Sequence, residues 1–60
     1  MTIKEKIQCI ITKIDMEKNK KVLTYILKLS KLDMIKNISI IYIHNNMYVA
    51  VNREIFCIES

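Results

Sequence analysis

Sixty residues allow a single domain, residues 1–60, and an apolar content of 52%, with 13 isoleucines, excludes a disordered tail. Neither Gly nor Pro occurs, so glycine-rich phosphate loops and the strained turns of many catalytic sites have no material to form from. The net charge is +4, nine of the ten basic residues are Lys and only Arg53 is Arg, a balance that admits a nucleic-acid partner.

The chain opens on Thr2-Ile3-Lys4-Glu5, a capping-box pattern in which Thr2 caps the Glu5 amide and Glu5 reaches back. Behind it Ile3, Ile7, Ile10, Ile11 and Ile14 recur at helical spacing in a stripe about 100° wide, which predicts a first helix over residues 3–14. Asp15 is the expected cap of a second helix that runs from Met16, with Glu17 near its positive end. Val22, Leu23, Tyr25, Ile26, Leu27, Leu29 and Leu32 spread over more than half of that helix's circumference, a breadth that calls for at least two packing neighbours. The remaining arc holds Lys20, Lys21, Thr24, Lys28 and Lys31. Asn37 is the expected stop, in the role usually given to Gly, with Ser30 and Asp33 offering an earlier break.

Beyond Asn37 the period changes to two. Residues 38–44 and 47–52 are β-branched and aromatic runs flanking Asn45-Asn46, which predicts a hairpin with those two residues as its loop. A second tight turn at Asn52-Arg53 launches a third strand over residues 54–59. The expected fold is therefore α+β, two N-terminal helices followed by a three-stranded antiparallel β-meander. With the loop at Asn45-Asn46, Tyr42 pairs with Val49 and Ile40 with Val51. One face then carries Ile38, Ile40, Tyr42, Met47, Val49, Val51, Phe56 and Ile58 and packs on the helices. The other carries Ile41, Ile43, Tyr48, Ala50, Ile55 and Cys57. A solvated face should alternate to polar residues. An apolar patch in its place, on so small a protein, marks an interface with Tyr48 as a suitable anchor.

His44 is the only His, sits beside the hairpin turn and lacks the spacing to Cys9 or Cys57 that a metal site needs. Those two cysteines read as reduced thiols with no neighbour placed to activate either, and no disulfide between them is expected. No nucleophile triad or carboxylate dyad can be assembled. The chain is thus expected to be non-enzymatic, with no catalytic residue, cofactor, metal or small-molecule substrate. Lys20, Lys21, Lys28 and Lys31 make the one cationic stripe, able to neutralise phosphates, and Asn19 is the residue of the second helix suited to base edges.

The functional expectation is a homodimeric protein-interaction module, a regulator or inhibitor that pairs with itself and with a further protein. Its abundant Ile, Lys and Asn suggest the codon bias of an AT-rich genome, a low-GC bacterium or one of its phages or plasmids. The expected source is a phage or mobile element of such a bacterium. The alternative is a small nucleic-acid-binding transcriptional regulator acting through the lysine stripe. Apolar runs such as Ile40 to Ile43 fall far short of the roughly 20 residues needed to span a bilayer. Met1 to Thr12, interrupted by Lys4, Glu5 and Lys6, has no signal-peptide core. A cytoplasmic location without a membrane partner is expected.

Overall fold

A computed structural model of the chain describes residues 1–60. Two helices, α1 (Ile3–Lys13) and α2 (Lys20–Lys31), precede three strands, β1 (Ile38–Ile43), β2 (Asn46–Val51) and β3 (Glu54–Ile58). The strands form one antiparallel sheet in the order β1-β2-β3, so the fold is the α+β arrangement of N-terminal helices and a β-meander. Both helices lie on the same face of the sheet. Ile7, Ile10 and Ile14 from the α1 segment and Leu23 and Ile26 from α2 join Ile38, Val49, Val51 and Ile58 in one buried cluster. Ile26, Val49 and Val51 are wholly withdrawn from solvent, and burying each such side chain stabilises the fold by roughly 1.5–3 kcal/mol.

The capping box forms as the sequence indicates. Thr2 N–H donates to Glu5 Oε1 at 3.0 Å, and Glu5 N–H donates to Thr2 Oγ1 at 3.2 Å. The backbone hydrogen bond from Thr2 is the main reason the Glu5 carboxyl lies below its ordinary pKa. The helix stops one residue earlier than its isoleucine stripe, because Ile14 turns extended while keeping its side chain in the core.

The second helix begins later than its composition indicates. Asp15 does cap, but what it caps is a turn: its Oδ1 accepts from Glu17 N–H at 3.0 Å and Lys18 N–H at 3.2 Å. Asn19 then occupies the N-cap position of α2 without capping it. Its buried carboxamide is committed elsewhere, donating to Asp15 C=O at 2.9 Å and Glu59 C=O at 2.8 Å and accepting from Glu59 N–H at 2.8 Å. A long-range tie to the end of β3 therefore decides where α2 starts, and no local pattern contains it.

The stop is also displaced. Asp33, not Asn37, takes the left-handed conformation, with φ 57°. Met34 N–H donates to Leu29 C=O and Asp33 N–H to Ser30 C=O, the bond pair of a Schellman motif. Asp tolerates this region for the same reason as Asn, a short polar side chain that bonds locally. Leu23 and Ile26 of α2 meet residues of both α1 and the sheet in the core, while Leu27 and Leu32, at the border of the arc, remain 52% and 56% exposed.

The first hairpin closes one residue before the expected loop. His44 and Asn45 carry positive φ, 49° and 66°, the mark of a type I′ turn, and Asn46 begins β2 opposite Ile43. Tyr42 accordingly pairs with Met47 and Ile40 with Val49. This moves each partner by two residues, so both faces keep the membership read from the sequence. Tyr42 is on the helix-side face but 65% exposed, so core packing is not its role.

The second hairpin turns at Asn52, with φ 54°, and Arg53. Asn52 also clamps the loop that leads into β1. Its Oδ1 accepts from Lys36 N–H at 2.8 Å and Asn37 N–H at 3.3 Å, and its Nδ2 donates to Met34 C=O at 3.1 Å. Two replacements separate its tasks. Asn52→Gly keeps the backbone free and loses the three side-chain bonds, at a cost of about 0.5–1.5 kcal/mol for each. Asn52→Ala adds the left-handed penalty, roughly 1–2 kcal/mol more. Urea unfolding that ranks Gly below Ala would contradict this division.

Candidate functional site

Because both helices cover one face, the other face of the sheet has nothing from this chain against it. Ile41, Ile43, Tyr48, Ala50, Ile55 and Cys57 alternate onto this outer face, where Ile41 pairs with Tyr48, Ala50 with Ile55, and Tyr48 with Cys57. Ile43 is 51% and Ile55 65% exposed, Cys57 is exposed, and Ile41, Tyr48 and Ala50 are half-buried only by their strand neighbours. Ser39 and Asn46 are the two polar residues within the strands on this side. With strands about 4.8 Å apart and a rise of about 3.3 Å per residue, the patch measures roughly 15 by 20 Å.

The charges lie on the other layer. Lys20, Lys21, Lys28 and Lys31 are all exposed and, with Thr24, fill one arc of α2 facing away from the sheet. The stripe read from the sequence therefore exists as a surface. Leu27 and Leu32 border it. Asn19, the expected base reader, is not part of it, because its carboxamide is buried and fully bonded to Asp15 and Glu59.

Remaining reactive groups stay apart. His44 is exposed in the first hairpin turn. Cys9 and Cys57 are exposed free thiols, one on α1 and one on β3. No three His, Cys, Asp or Glu side chains converge as a metal site would require. The one coupled pair is Tyr25 with Glu54: the tyrosine hydroxyl donates to Glu54 Oε1, which raises the phenol above its ordinary value of 10.0. Tyr25 also meets Phe56 edge to face, with ring centroids 5.4 Å apart. Both contacts pin α2 to β3, a positioning task that composition does not disclose.

Comparison of the chain with protein-family models, curated proteins and solved structures gives no match. No helix is long and apolar enough to cross a membrane.

The stripe's exposure sets an expectation for its removal. Lys20→Glu combined with Lys28→Glu should change unfolding free energy by no more than about 0.5 kcal/mol, since neither side chain packs in the core. A larger loss in thermal or urea unfolding would show that these lysines contribute to the fold.

Proposed function

We propose that this chain is a non-enzymatic protein-interaction module that pairs with a second copy of itself through the outer sheet face. The observation that carries the proposal is the one-sided sheet: an apolar face of Ile41, Ile43, Tyr48, Ala50, Ile55 and Cys57 with no covering layer. Leaving such a face in water forgoes roughly 1.5–3 kcal/mol for each large side chain that a partner would bury. Against a small domain's total stability of about 5–15 kcal/mol, that loss is large.

A second copy suits the face on two grounds. The face holds no charged side chain within the strands, so two copies meet without like-charge contacts despite the net charge of +4. Face-to-face pairing also points both lysine-bearing helical layers outward into solvent. Twofold symmetry is the usual solution for a self-complementary patch.

The biological role that fits is a regulator or inhibitor engaging a further protein. The abundant Ile, Lys and Asn suit a low-GC bacterium, and the small size and lack of catalytic parts suit one of its phages or mobile elements. The cytoplasm is the compartment that suits two exposed free thiols. A second reading, a nucleic-acid-binding regulator, draws on the single exposed arc of Lys20, Lys21, Lys28 and Lys31. It requires affinity for duplex DNA to fall steeply with salt, by about 0.9 log units per tenfold salt for each phosphate contacted.

Sedimentation at micromolar concentration tests the pairing. The wild type should run at twice the 7.1 kDa chain mass, and Ile43→Lys, which puts a charge into the dry face, should run at 7.1 kDa. A wild type that sediments as a 7.1 kDa monomer would remove the homodimer.

A further inference from the structure

The two edges of the sheet are not alike. In a two-residue hairpin the residues flanking the loop form a hydrogen-bonded pair, and the pattern alternates from there. Bonded pairing of Val51 with Glu54 directs the backbone groups of Ile55, Cys57 and Glu59 away from β2, along the free edge of β3. That edge is managed. The Asn19 carboxamide takes both outward groups of Glu59, and Glu54 and Glu59 bracket the strand with charge.

On the opposite edge, bonded pairing of Ile43 with Asn46 leaves Ile38, Ile40 and Tyr42 with N–H and C=O directed outward. Asn52 N–H donating to Asn37 C=O at 2.8 Å shows the same phase at the strand's other end. β1, Ile38–Ile43, contains no charge and no proline, two of the common devices that blunt an edge, and α1 packs over its face. Beside it, Cys9 and Ile10 of α1 and Ile38 and Ile40 of β1 line an open groove of about 320 Å³, rimmed by Lys6 and Lys13. Tyr42, exposed on the helix-side face, stands at the far end of the same strand.

We propose that the β1 edge and this groove form a strand-addition site for an extended segment of a partner protein, apolar at alternate positions and acidic beside them. Main-chain bonds to Ile38, Ile40 and Tyr42 supply the attachment, the groove takes the alternate apolar side chains, and Lys6 and Lys13 meet the carboxylates. A second copy of this chain does not fit here. α1 lies over β1 itself, and pairing two β1 strands about 4.8 Å apart would force two α1 helices inside the roughly 8–10 Å that packed helices need. It would also bring Lys6 and Lys13 of both copies into one seam. The site is separate from the outer face, because sheets paired face to face leave their edges free.

The test is an amide-resolved NMR titration of the whole chain with a blocked heptapeptide, Glu-Val-Thr-Val-Thr-Val-Glu. Saturable shifts are expected at the Ile38, Ile40 and Tyr42 amides. The counterpart with Lys in place of Glu should bind about tenfold more weakly, and Lys6→Glu with Lys13→Glu should reverse that preference. Of two peptides N-methylated on alternate residues in opposite phase, one should keep binding and the other lose it. No saturable shift up to millimolar peptide, shifts confined to Ile41, Ile43 and Tyr48, or equal behaviour of the two methylated peptides would each overturn the site. Ile43→Lys serves as the background in a repeat titration: edge binding should persist there, which separates this site from the face-paired dimer.

Discussion

The core of this chain is a single seam between a helical layer and one face of a sheet, centred on Ile26 from α2 and Val49 and Val51 from β2. Sixty residues furnish two short helices and three short strands, enough for one such seam and no second layer. β2 sits in the middle of the sheet and is the most buried strand on the helix side, so α1 and α2 flank it from above β1 and β3. Everything left outside the seam follows from that count: an outer sheet face without cover, and two strand edges without neighbours. One of those edges is tied at its end, where Asn19 bonds both backbone groups of Glu59 just past β3.

Turn formation without glycine has its own solution here. Four residues adopt positive φ, namely Asp33, His44, Asn45 and Asn52, and each ends or joins an element. Two of the chain's asparagines also bind across long sequence separations. Asn19 joins the start of α2 to the end of β3, and Asn52 joins the second hairpin to the loop before β1. These carboxamides bond to backbone in the way a neighbouring strand or turn would, so a small chain gains tertiary ties without adding residues. The same two side chains set where α2 begins and how β1 is entered, which in turn aligns the outer face.

The order of elements and the two sheet faces were legible in the sequence because both rest on simple periods. Isoleucines at helical spacing defined α1, and period-two alternation assigned Ile41, Ile43, Tyr48, Ala50, Ile55 and Cys57 to a common side. Face membership survived an incorrect loop position, since moving the turn from Asn45-Asn46 to His44-Asn45 shifts partners by two and preserves parity. What the sequence hid depends on competition between similar residues or on distant contacts. His44 and Asn46 were comparable candidates for a left-handed turn position, as were Asp33 and Asn37 for the end of α2. Asn19 reads as a free polar residue until the end of β3 is placed beside it. The exposure of Tyr42 was likewise invisible, because its face was right and only the reach of α1 decides its burial.

If the outer face is half of an interface, folding and pairing are one equilibrium, and stability must depend on how much protein is present. Urea unfolding of the wild type across a hundredfold range of chain concentration measures this directly. A face-paired dimer that unfolds to two chains gains about 2.7 kcal/mol over that range, and its midpoint moves to higher urea. A midpoint that stays fixed from the lowest to the highest concentration would mean that the chain folds alone with its outer face in water, against the self-pairing proposed here.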